Sequence, residues 1–142
     1  MLAHETLAYF AGLFDGEGTV ELRLRHHNTI GTRILIYNTS LDVMDWLLGY
    51  FDGTVYARKN KTSSYKTQYV WQTSGEKARD TLKLVAPFLI IKAKQVKLVL
   101  KFWELREEYG ITSHSRKNED FVAIAEPLLY AVSALNRRGN LT

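Results

Sequence analysis

The chain has 142 residues, 19 Lys plus Arg against 15 Asp plus Glu, a formal net charge of +4 and no cysteine. That length fits one domain with a sizeable core, so a single domain over residues 1–142 is expected, and the basic balance favours a polyanionic partner such as nucleic acid. The lack of cysteine excludes disulfides, thiol nucleophiles and zinc sites built on Cys; it leaves carboxylate, His or Lys chemistry and is compatible with an intracellular setting.

Thr6 is expected to cap a first helix over Leu7 to Asp15, which Gly16 and Gly18 end. In VELRLRHH, Val20, Leu22 and Leu24 alternate with Glu21, Arg23 and Arg25, the pattern of a half-buried strand. A loop around Asn28 to Gly31 leads into TRILIYN, so the two runs predict a hairpin. Ser40 caps a helix with Asp42 in its first turn and Val43, Met44, Trp46, Leu47, Leu48 and Phe51 as apolar positions. After Gly53, TVYARKN and SYKTQYVWQTS flank the loop Lys61 to Ser63 as a second hairpin.

Ser74 then caps a helix with Ala78, Leu82 and Val85 on its apolar side, and Pro87 stops it. A long helix over about Leu89 to Tyr109 ends at Gly110. ITSHSRKN reads as a polar loop, and Asn118 caps a last helix that Pro127 must kink or restart. Strands adjacent in sequence, between helices, argue for α+β with an antiparallel sheet, a saddle of two hairpin-then-helix halves. The longest apolar run is far below the ~18 residues of a membrane span. The start of the chain lacks a basic segment followed by an apolar signal core, so a soluble chain is expected.

The first helix carries the function. LAYFAGLF, Leu7 to Phe14, has no polar position, and an amphipathic helix needs a solvent face. The sheet covers one side, and a second copy of the helix across a two-fold axis is the natural cover for the other. Ala8 and Gly12, four apart with Ala11 beside them, would let two such helices approach backbone to backbone. A core helix with small residues for packing is the plainer reading of the same spacing.

The run ends in Asp15 and Glu17, and negative charge at a helix C-terminus opposes the macrodipole unless something positive joins it. Two symmetric copies would bring Glu17 near its twin, where a divalent cation relieves the repulsion. Paired carboxylates holding Mg²⁺ at the end of a basic sheet are the parts of a phosphodiester-cleaving site.

FAGLFDGEG, Phe10 to Gly18, resembles the signature of the LAGLIDADG homing endonucleases, matching at Ala11, Gly12, Leu13, Asp15 and Gly18, with acid for acid at Glu17. Phe10, Phe14, Gly16 and Glu17 depart from its commonest form. The order helix, hairpin, helix, hairpin, helix resembles the family's αββαββα arrangement, and PFLIIKAKQ, Pro87 to Gln95, looks like its second recurrent segment. The resemblance implies Glu17 as the metal-binding acid, with the Gly16 carbonyl also coordinating. It implies Lys92 as the cation near the scissile phosphate, with Lys94 the fallback two residues on. Asn38 falls where a polar residue orients solvent, and Asp15 where an acid finishes the helix turn. A single motif implies a homodimer cutting a palindromic or near-palindromic double-stranded DNA site and leaving 3′ overhangs. The alternatives on this scaffold are an RNA maturase and a DNA-binding protein that does not cut; a structural dimer is a more distant reading.

On the polar side of the strands, Glu21, Arg23, Arg25 and His27 would face DNA, with Tyr56, Arg58 and Asn60 on the third strand and Lys66, Gln68 and Gln72 on the fourth. Tyr65, Tyr69 and Trp71 have the other parity and are assigned to the core. Arg33 is out of step with Asn38, so it is expected to face away from DNA or to mark a bulge. Arg116, Lys117, Asn136, Arg137 and Arg138 are candidate backbone contacts. His4, His26, His27 and His114 lack metal-ligand spacing.

Overall fold

A computed structural model describes residues 2–25, 29–58, 66–112 and 119–139. The expected positions His27, Asn60, Arg116 and Lys117 lie outside them, as does the side chain of Arg138. Helix α1 spans His4–Glu17, strand β1 Gly18–Arg25 and strand β2 Thr29–Asn38. Helix α2 spans Leu41–Tyr50, followed by strands β3, Thr54–Arg58, and β4, Gln68–Ser74. Helix α3, Gly75–Val85, runs into a 3-10 turn at Ala86–Phe88, then come α4, Ala93–Glu108, and α5, Glu119–Gly139. The architecture is α+β, as the order of sequence patterns predicts.

The sheet has the order β1-β2-β4-β3, and every neighbouring pair is antiparallel. Each hairpin stays paired with itself, and β2 and β4 join the two hairpins at the centre. The registers fix two faces. One carries Val20, Leu22, Ile34, Ile36, Trp71 and Tyr69 toward the helices; the other carries Glu21, Arg23, Arg25, Arg33, Tyr56, Arg58, Gln68 and Gln72. Trp71 is fully buried and Tyr69 packs against the core, the parity expected of the fourth strand. Leu24 shares the core parity yet is 54% exposed, because β1 and β2 extend past the edge of the helices' cover.

Helix α1 buries Leu7, Phe10, Ala11 and Phe14, one face at the i, i+3, i+4, i+7 spacing. Phe10 meets the rings of Phe51 at 4.4 Å, Trp71 at 5.6 Å and Phe14 at 5.9 Å between centroids, so one side chain ties α1 to the end of α2 and to the sheet. The helix starts earlier than expected, with Ala3 as N-cap and Thr6 inside its first turn. Gly16 lies within it, and β1 begins at Gly18 without a loop. A Cβ on Gly18 would run into the Phe14 ring and lie 2.6 Å from the Phe14 carbonyl oxygen, so this position needs glycine for close approach.

Ser40 caps α2 as expected, its Oγ accepting from the Val43 N–H at 3.3 Å. Met44 and Leu47 are buried, whereas Leu48 is 47% exposed. Trp103 Nε1 donates to Thr32 Oγ1 at 3.0 Å inside the core and pins α4 to β2. Pro127 lies within α5, which runs as one helix from 119 to 139. Asn136 is half-buried, and its Nδ2 donates to the Val20 carbonyl at 2.9 Å, so α5 satisfies a backbone group on the outer edge of β1.

Candidate nuclease site and nucleic-acid interface

The C-terminus of α1 delivers two carboxylates with different surroundings. Asp15 faces the segment between the 3-10 turn and α4. Its Oδ2 accepts from the Ile90 N–H at 2.8 Å, and its Oδ1 from the Ile91 and Lys92 N–H groups at 3.1 and 3.0 Å. Lys92 Nζ donates to the Asp15 carbonyl oxygen at 3.0 Å. An acid at a helix C-terminus is unfavourable alone, and here it is compensated from two sides. Unpaired N–H groups and the positive end of the α4 dipole meet the carboxylate, while an ammonium meets the α1 carbonyl end. The same contacts hold residues 89–92 out of helical geometry, which is why α4 begins at Ala93 rather than near Leu89.

Glu17, on the last residue of α1, is exposed. Its Oε2 accepts from Asn38 Nδ2 at 2.5 Å. The orientation of that amide is fixed independently, because Asn38 Oδ1 accepts from the Ser40 N–H at 2.8 Å and so turns the NH₂ toward Glu17. The Ser40 turn that starts α2 therefore also aims Asn38. Glu17, Tyr37, Asn38, Thr39, Arg58 and Gln68 line an open depression of about 420 Å³ at this end of the sheet.

The chain thus pairs Glu17 with Asn38, and Lys92 with Asp15. Lys92 does not line the Glu17 depression. Burial lowers its pKa from the ordinary lysine value, with the Asp15 charge pulling the other way. Among the described residues no group of three or more His, Asp or Glu side chains forms a metal cluster. The donor that Glu17 offers is a carboxylate oxygen, which suits a hard cation such as Mg²⁺ that completes its shell with water and phosphate. Among the described residues, Glu17 is the one carboxylate that lines the depression.

The outer face of the sheet carries Glu21, Arg23 and Arg25 on β1, Tyr56 and Arg58 on β3, and Gln68 and Gln72 on β4, with Lys66 exposed two residues before β4. Arg33 corrects its expectation. The β1–β2 register is unbroken and puts Arg33 directly opposite Glu21, so it faces outward with the other arginines and marks no bulge. It is Asn38 that has the parity of the helix side. Arg33 and Tyr37 were therefore missed as face residues; only the cross-strand register, which no single strand reveals, identifies them. Arg137 is exposed on α5, its Nη1 donating to Ser133 Oγ at 3.0 Å.

On α1, Ala8 and Gly12 are exposed, and nothing lies within 4 Å of a Cβ built on Gly12. Ala11 is fully buried in the chain's own core and offers no surface to a second helix, which corrects its assignment to an interface.

Comparison with solved structures decides the fold. The homing endonuclease I-CvuI, in complex with its target in the presence of 2 mM Ca, is 20% identical, with a TM-score of 0.67 over 92% of this chain and 82% of that one. The fold is that of the LAGLIDADG homing endonucleases. I-GzeII, a LAGLIDADG homing endonuclease in complex with a DNA target, gives a TM-score of 0.63 at 12% identity, over 89% of this chain and 43% of its own. The archaeal intron-encoded I-Vdi141I, complexed with DNA, gives 0.53 at 14% identity over 93% and 97%. No family model and no curated protein sequence matches the chain. Among the described residues no helix is long and apolar enough to cross a membrane.

Proposed function

We propose that this LAGLIDADG-fold chain is a site-specific double-strand DNA endonuclease that works inside a cell as a homodimer of single-domain chains. The observation that supports it most is the position of Glu17: an exposed acid, held by Asn38, at one end of a sheet whose outer face is rich in arginine. Solved structures with this fold include I-CvuI, I-GzeII and I-Vdi141I bound to DNA.

In this reading the Ala8 and Gly12 faces of two α1 helices meet at a two-fold axis, and each brings its Glu17 to the centre. Bound Mg²⁺ would make water a better nucleophile and offset charge on the phosphate. Glu17 and the Gly16 carbonyl would hold that ion, with Asn38 keeping the Glu17 carboxylate in place. Lys92 supplies positive charge near the scissile phosphate through its seat at the end of α1. The outer face, with Arg23, Arg25, Tyr56, Arg58, Lys66, Gln68 and Gln72, lies in the major groove, helped by His27, Asn60, Arg116, Lys117, Arg137 and Arg138. Two-fold symmetry makes the site palindromic or nearly so, and cuts across the minor groove leave 3′ overhangs.

The test is a plasmid library carrying randomised sites, incubated with the purified protein and Mg²⁺. Selective cutting at two-fold symmetric sites with 3′ overhangs is the expected result. Binding to a selected site without any cutting would leave only the DNA-binding reading, and a library left uncut and unbound would end both.

A further inference from the structure

Among the described residues of the strands, Glu21 is the one acid on the outer face, set among arginines where phosphate binding does not explain it. Glu21 Oε2 accepts from Arg33 Nε at 3.2 Å and from Arg33 Nη2 at 3.0 Å, and Arg23 Nε lies 3.9 Å from the same oxygen. A surface that only neutralised phosphates would be weakened by a carboxylate. The side chains are partly sunk into the sheet, Glu21 27% and Arg33 32% exposed, so the pair is held in place rather than left at the end of two loose stems.

The geometry of the contact matters. Glu21 takes the Nε–Nη2 edge of the guanidinium, and two donors on one oxygen fix its plane. The other edge, Nη1–Nη2, still carries two N–H groups in parallel, the fork that matches O6 and N7 of guanine in the major groove. Arg33 also lines a cavity of about 360 Å³ together with Arg23, Arg25, Gln72 and Lys77.

We infer that Arg33 reads one guanine of the target in each protomer and that Glu21 is its positioning residue. The inference rests on the DNA endonuclease reading and adds a specificity determinant to it. Lost side-chain freedom is already spent before DNA arrives, so the arginine meets the base with less ordering to do.

Selection of bound duplexes from a randomised pool, with the full chain as wild type and as Arg33→Ala, Glu21→Ala and Glu21→Gln, tests this. Wild type should enrich guanine at one position of each half-site. Arg33→Ala should reduce that preference about 5- to 150-fold, and Glu21→Ala should relax the same position and no other. Glu21→Gln, which keeps an acceptor oxygen, should retain most of the preference while binding every sequence more tightly. If Glu21 merely offsets repulsion among the arginines, Glu21→Ala will bind all DNA more tightly with base frequencies unchanged, and the inference is overturned. If wild type enriches no sequence, the endonuclease reading falls and takes this one with it; if it enriches a site whose bases are indifferent to Arg33→Ala, only this one falls.

Discussion

Asp15 and Glu17 stand two residues apart in one helix end, but one belongs to the frame and the other to the surface. Asp15 spends its carboxylate on three backbone N–H groups of a segment about 75 residues away in sequence, and its carbonyl on Lys92. Glu17 is exposed, with Asn38 on one oxygen. The difference teaches that an acidic motif is not a set of equal candidates. The acid that satisfies backbone donors joins α1 to α4, and the acid left at the surface is the one free to meet a ligand.

Substitutions sharpen that contrast through stability, from the largest effect to the smallest. Asp15→Ala strips the charged acceptor from three N–H groups and leaves Lys92 without its neighbour's charge. A loss of about 2–4 kcal/mol is expected in chemical denaturation. If instead it unfolded at the wild-type denaturant concentration, Asp15 would be no part of the frame. Gly18→Ala forces a methyl into the Phe14 ring and the α1 carbonyl. A loss of about 1–3 kcal/mol is expected from overpacking, together with displacement of Glu17, which an amide spectrum around residues 14–20 would show.

Ser40→Ala removes the α2 cap and should cost about 1 kcal/mol, readable as a lower melting temperature. Lys92→Met probes pH. The lysine pKa is lowered in the folded state, so near and above that folded value the unfolded chain binds more protons. Its contribution makes stability rise with pH on the way to the ordinary lysine value. Subtracting the Lys92→Met curve from wild type should isolate a small upward slope at alkaline pH; a flat or falling difference would show that burial does not govern this group. Glu17→Gln should change stability least, within about 0.5 kcal/mol as expected of an exposed site.

Much of this was legible in sequence because its causes are local. Alternation along VELRLR and TVYAR gave the faces of β1 and β3, and the Ser40 cap gave the start of α2. What was not legible depends on partners distant in the chain. The facing of Arg33 follows from its place opposite Glu21, and the late start of α4 follows from Asp15. Ala11 and Ala8 look alike in sequence, and only the packing of α1 on the sheet separates the buried one from the exposed one. Leu24 kept the right parity and still lost its cover, because alternation says which way a side chain points and not how far the helices reach.

The central claim is that Glu17, and not Asp15, carries the chemistry, and the most direct measurement is cleavage by Glu17→Gln of a selected target in Mg²⁺, with DNA affinity measured alongside. The expected result is affinity close to wild type with cutting reduced by about 100-fold or more. Cutting at the wild-type rate would contradict it.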